Sequence, residues 1–170
     1  MYKKLIGSLI FGTAMCLSVF ANAQKIAVVN IQVAILESDY GQAELAKLES
    51  NPSYAALVTE SQSLMADVQA LDNDAQANGN SWTQAQLSEY NKQRQFLTAD
   101  LQLNNQKIQS EREAVVRQIN QAMYQRALTA LQALVDEMEI TLLLQESVVF
   151  YHATEEHNVT SQLSAKLNSQ

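Results

Sequence analysis

The spacing of apolar residues divides this chain into a few long stretches separated by sparse breaks. Residues 5–20 are apolar or small throughout, apart from Ser8, Thr13 and Ser18. Lys25 to Ile31 (KIAVVNI) is short and β-branched, which predicts a strand covered on both faces. Asn30 is placed to cap a short helix over 32–36. Ser38-Asp39 is placed to open the next helix, through Gln42, Leu45 and Leu48 to about Ser50. Asn51-Pro52 interrupts it, because a proline disfavours the helical backbone in the residue before it; a kink or a re-capped start at Ser53 is expected. From Leu57 the apolar positions Leu57, Leu64, Val68, Leu71 and Ala75 advance by 7, 4, 3 and 4, a heptad seam.

Asn78-Gly79-Asn80 ends that seam with residues that tolerate a left-handed backbone. Thr83-Gln84-Ala85-Gln86 then matches a capping box, so the break predicts the tip of a helical hairpin. The return helix meets no breaker from Gln84 to about Met138, and Leu87, Tyr90, Arg94, Leu97, Leu101, Asn104, Ile108, Glu111 and Val115 mark its seam. Such a helix is about 80 Å long, too long for a compact domain to enclose. Its polar seam positions (Arg94, Asn104 and Glu111) predict a loosely zipped outer hairpin, while Ala127, Leu128, Leu131, Leu134, Val135 and Met138 make the base more apolar. ITLLLQ at 140–145 and VVFYHA at 148–153 predict two strands joined tightly at Glu146-Ser147. A last helix over 161–168, capped by Asn158 or Thr160, carries Leu163 and Leu167.

The predicted class is α+β: a small β-strand body (24–38 and 139–170) and one long antiparallel two-helix coiled-coil arm (39–138). Three short strands make an under-covered sheet with open edges, and association is the natural way to bury it. The expected assembly is a homo-oligomer whose body surface includes Ile26, Val28, Ile31, Leu142, Leu144, Val149 and Tyr151.

Composition adds a destination. Lys3 and Lys4 precede the apolar run, and Ala21-Asn22-Ala23 supplies a small-residue cleavage site, so residues 1–23 are predicted to be a secretory leader cut between Ala23 and Gln24. The 16-residue run is shorter than the roughly 20 that a spanning helix needs. Cys16 follows Thr13-Ala14-Met15, a poor lipobox, and leaves with the leader. The remaining chain has no cysteine, two glycines (Gly41 and Gly79) and one proline, as few long elements require. Its 9 Lys/Arg against 18 Asp/Glu argue against nucleic acid and against a basic membrane-binding face.

Catalytic signals are weak. His152 and His157 enclose Glu155 and Glu156, but the string H-x-x-E-E-H spaces its histidines five apart, and the inverzincin pattern needs four. No Ser/His/Asp arrangement or phosphate loop stands out, so no enzyme, cofactor or metal is expected. Asn158-Val159-Thr160 matches a glycosylation sequon of a kind that chance often produces. Trp82, the sole tryptophan, either offers a sticky tip contact or packs as a staple on Leu87 ahead of the Thr83 cap; the staple is favoured. Met65 and Leu103 lie beside the seam and are the arm's candidates for diffuse apolar contact with a partner.

The segments KIAVVNIQVAILES at 25–38 and ITLLLQESVVFYHA at 140–153, with Val159-Thr160 before the last helix, resemble the Skp/OmpH family of periplasmic chaperones over essentially the whole chain after the leader. The resemblance implies a homotrimer whose β body holds three helical arms around a cavity for unfolded outer-membrane proteins. It also implies an ATP-independent holdase without a cofactor, located in the periplasm. Members of this kind are often strongly basic, with arms that attract acidic clients or lipopolysaccharide. This chain is acidic and its tip (78–82) uncharged, so no lipopolysaccharide site is carried over. Gln145-Glu146-Ser147-Val148 also departs from the small or Asp/Asn residues usual in that turn. The other function class open to such a hairpin is a structural or adaptor spacer that docks a partner through its tip.

Overall fold

The computed structural model describes residues 25–150 and 155–169. The expected leader with its Ala23/Gln24 cut, and Tyr151 and His152, lie outside them. The elements are β1 (Ile26–Val29), α1 (Ile31–Glu37), α2 (Asp39–Glu49), α3 (Pro52–Asn78), α4 (Gln84–Glu137), β2 (Leu142–Gln145) and α5 (Thr160–Asn168). Short 3-10 turns occupy Gly79–Ser81, Glu146–Val148 and Glu155–His157. The architecture is α+β, with a strand pair at the base of long helices.

Capping residues set most of the boundaries. The Asn30 side chain accepts from Val33 N–H at 3.1 Å, and Ser38 Oγ accepts from Gly41 N–H at 3.2 Å. Asn51 stays extended ahead of the proline, and its side chain accepts from Ser53 N–H at 2.9 Å. The restart is thus capped at Asn51, two residues before the expected Ser53. Gly41 is a glycine for reasons of space. Its α-carbon abuts the end of α1, where a methyl group would overlap the carbonyl oxygens of Ile35 and Leu36.

α4 ends in a Schellman motif that no glycine announces. Glu139 takes the left-handed conformation at φ 54°, its N–H reaching Asp136 O and that of Ile140 reaching Val135 O. A side chain in that conformation costs about 1 kcal/mol. Lys25 compensates from the first described residue, donating to Met138 O at 3.0 Å and to a Glu139 carboxylate oxygen at 3.3 Å.

β1 and β2 are parallel, with Ile26 opposite Leu142 and Val29 opposite Gln145. The other edge of β1 meets Asn158, where Val159 N–H donates to Val28 O at 2.9 Å. Ala27, Val28 and Val29 are all buried, as a strand covered on both faces requires. The expected third strand over 148–153 is not formed at its described start. Glu146–Val148 is a 3-10 turn, and Phe150 is fully exposed. The reason is a side chain: Asn30 Nδ2 donates to Glu146 Oε2 at 2.9 Å and holds the chain at the point where a hairpin would have to turn.

The core sits where β1, α1, α4 and α5 meet. Ala27, Val29, Ile35, Ile119, Met123, Leu131, Leu134, Val159 and Leu163 are among its members, and Val115 to Met138 supply the α4 side. The sequence seam includes Leu128 and omits Ala130. In the structure Ala130 is wholly buried and Leu128 is exposed.

Candidate functional site

Two surfaces could carry function: the arm built from α3 and α4, and an apolar strip at the base of the strand pair. In the arm, α4 is 54 residues long and its outer part packs on α3 alone. The hairpin tip turns without any left-handed residue. Asn78 ends α3, Gly79 keeps a helical φ of −55°, and Gly79–Ser81 closes as a 3-10 turn. Neither the glycine's freedom nor that of Asn80 is used. The predicted capping box is complete, with Thr83 Oγ1 accepting from Gln86 N–H and Gln86 Oε1 accepting from Thr83 N–H. Trp82 packs on Tyr90, ring centroids 5.3 Å apart, which anchors it ahead of the Thr83 cap.

Two of the three polar seam positions act as ties. Arg94 Nε and Nη2 donate to the two carboxylate oxygens of Asp72 at 2.8 and 3.3 Å, and Tyr90 Oη donates to the same group at 2.9 Å. Asn104 is buried and donates to Leu57 O at 2.6 Å, while Ser61 Oγ donates to Asn105 Oδ1 at 2.6 Å. Asn104 Oδ1 has no partner among the described residues. A buried amide in a two-helix seam fixes register at some cost in stability. Glu111, the third, is exposed. The outer hairpin is therefore cross-linked by polar contacts where its apolar seam is thin.

Arg94 first, then the Tyr90 hydroxyl, holds the Asp72 carboxyl below its ordinary value; the same pairing raises Tyr90 and Arg94. Lys166 lowers Glu137 at the base in the same way. The folded pKa of each carboxylate lies below the unfolded one. Their stabilisation is thus complete above the unfolded value of about 4 and is lost as pH falls through the depressed one. Trp82 fluorescence during denaturant unfolding should show an arm midpoint that is flat from about pH 7 to 5 and falls below about pH 4. Asp72→Asn should lower the midpoint at neutral pH and flatten its acid dependence. An unchanged dependence in that variant would remove Asp72 as its source.

Met65 and Leu103 are each more than half exposed, as their positions beside the seam predict. Phe96, which sequence reasoning passed over, is equally exposed and stands seven residues before Leu103 on the same stripe of α4. Its signal was available: an aromatic residue one place before the seam residue Leu97. At the base, Ile26 and Leu142 are opposite each other and 41% and 47% exposed; Val148 and Phe150, past the end of β2, are exposed as well. Ile31, Leu144 and Val149 are half-buried, whereas Val28 is spent inside its own chain. Among the described residues no strand pairs with the outer edge of β2, no helix is long and apolar enough to cross a membrane, and no group of three His, Cys, Asp or Glu could hold a metal ion.

The sequence model of the "Outer membrane protein (OmpH-like)" family matches residues 25–167. The chain belongs to the OmpH-like family. The match takes in every element from β1 to α5, including the strand pair that a simple helical hairpin lacks. Among solved structures, the OmpH-like chain resembles a crystal structure from Caulobacter crescentus CB15, described as a candidate outer membrane chaperone (OmpH-like). The identity is 20%, over 99% of this chain and 90% of that one, with a TM-score of 0.47. No curated protein matches.

Proposed function

We propose that this OmpH-like protein is an ATP-independent periplasmic holdase, a homotrimer whose three arms enclose unfolded outer-membrane proteins. Family membership over 25–167 carries the reading. The physical form supports it. Holding an unfolded chain calls for many weak apolar contacts on adaptable surfaces, and the arm exposes Met65, Phe96 and Leu103 outside its seam without gathering them into one deep pocket. The exposed apolar side chains Ile26, Leu142, Val148 and Phe150 are the ones that the trimer would bury. No catalytic step, cofactor or lipopolysaccharide site belongs to this reading. The packing of Trp82 on Tyr90 favours it over a spacer that docks through an exposed tryptophan.

The test is a porin diluted from urea. The purified protein should suppress its aggregation without ATP, near one trimer per porin, and the triple change Met65→Ser/Phe96→Ser/Leu103→Ser should weaken suppression several-fold. Undiminished aggregation at several-fold trimer excess would end the proposal.

A further inference from the structure

Near the tip of the arm lies a cleft of about 200 Å³, lined by Leu71, Asp74, Trp82, Gln86, Glu89, Tyr90 and Gln93. The rings of Trp82 and Tyr90 meet at 50°, so they form a corner and not a flat stack. Tyr90 is fixed there by its hydroxyl, which Asp72 holds. Arg94 neutralises Asp72, so the charge that faces the cleft belongs to Asp74 and Glu89. Each of these carboxylates has one oxygen engaged within its own helix: Asp74 Oδ1 accepts from Asn78 Nδ2 at 2.7 Å, and Glu89 Oε1 from Gln93 Nε2 at 3.1 Å. Those bonds orient the groups. Among the described residues no hydrogen bond reaches their second oxygens, and no lysine or arginine lines the cleft.

Aromatic faces with carboxylates across a small opening attract a cation that can both lie against a ring and donate hydrogen bonds. A few residues away the chain already pairs a guanidinium with a carboxylate, where Arg94 donates to the Asp72 group that also holds the Tyr90 hydroxyl. We infer that the tip cleft binds the arginine side chains of a bound polypeptide. It would thus select basic segments among the unfolded chains that the apolar arm holds without discrimination. Phosphate-bearing surfaces are disfavoured there, since the same two carboxylates repel them. The inference rests on the holdase reading for its ligand, but the cleft can be assayed without it.

Trp82 is the only tryptophan, so its emission reports the cleft directly. The probe is a short unstructured peptide carrying several arginines, titrated into the purified protein beside the same peptide with citrulline, which has the shape of arginine but no charge. The arginine peptide should change Trp82 emission saturably, at a concentration about tenfold lower than the citrulline peptide needs. Asp74→Asn/Glu89→Gln should erase that difference while helical content stays constant. Should the double variant lose helix, Glu89→Gln alone and the two peptides on the unaltered protein decide the matter. Equal response to both peptides, or an equal response to phosphatidylethanolamine vesicles, overturns the assignment. Porin aggregation run in parallel separates the two claims. Suppression without arginine preference sinks the cleft alone, and arginine preference without suppression sinks the holdase alone.

Discussion

Leu163→Ala should lower the stability of the body by about 3 kcal/mol and so remove a large share of what holds the strand pair to the helices. Leu163 is wholly inaccessible and lies in the cluster that joins β1, α1, α4 and α5. It is one of few such residues in a chain whose other long elements form an arm, so the body has no second core to fall back on. The neighbourhood cannot close over the void cheaply. Asn30 N–H donates to Thr160 Oγ1 at 2.9 Å, and Asn168 Oδ1 accepts from Asp39 N–H at 2.8 Å, which pins α5 at both ends. Denaturant unfolding followed by circular dichroism measures the loss. Leu103→Ala, at an exposed arm position, is the control and should stay within about 0.5 kcal/mol of the unaltered protein. A small loss at Leu163 would mean that the arm seam, and not the body, supports the fold.

What the sequence disclosed about this architecture is what short-range physics decides. Asn30, Ser38 and the Thr83/Gln86 pair signal helix starts through bonds to amides three residues on, and each start falls within a residue of its expected place. The seam was legible because its period needs no partner beyond the hairpin. What stayed hidden depends on contacts distant in sequence. VVFYHA has strand composition, but its described start turns in a 3-10 bend because Asn30, 116 residues away, holds Glu146. Glu139 adopts a left-handed backbone that its identity disfavours, since Lys25 reaches it across the base. The tip behaves likewise. Asn78-Gly79-Asn80 offered a left-handed turn, and the structure uses a 3-10 turn that the Trp82–Tyr90 contact accompanies. For the candidate surfaces, Met65 and Leu103 could be found by counting off the seam. The tip cleft could not be found that way, because Asp74 and Glu89 belong to different helices and meet only once the hairpin register is set.

The strip at the base supports the second large effect. Ile26 and Leu142 face each other across the strand pair, and Val148 at the end of the 3-10 turn and Phe150 after it add further exposed apolar side chains. Leaving such a surface wet is costly, and burying each side chain fully is worth roughly 1.5–3 kcal/mol. In a trimer the gain recurs in three copies. Among the described residues no strand pairs with the outer edge of β2, a further reason for a second chain to dock there. Leu142→Asp/Phe150→Asp should convert a sedimenting trimer to single chains at micromolar concentration, because each interface would then bury carboxylates without partners. Both positions are open to solvent in the single chain, so its own fold should be nearly unaffected and its helical signal retained. That pairing of outcomes makes the result informative: loss of mass with helix retained assigns the strip to assembly, whereas loss of both would assign it to folding. An unaltered protein that sediments as one chain would remove the homotrimer from the proposal. The apolar strip would then need another occupant, and the cavity between arms would lose its basis.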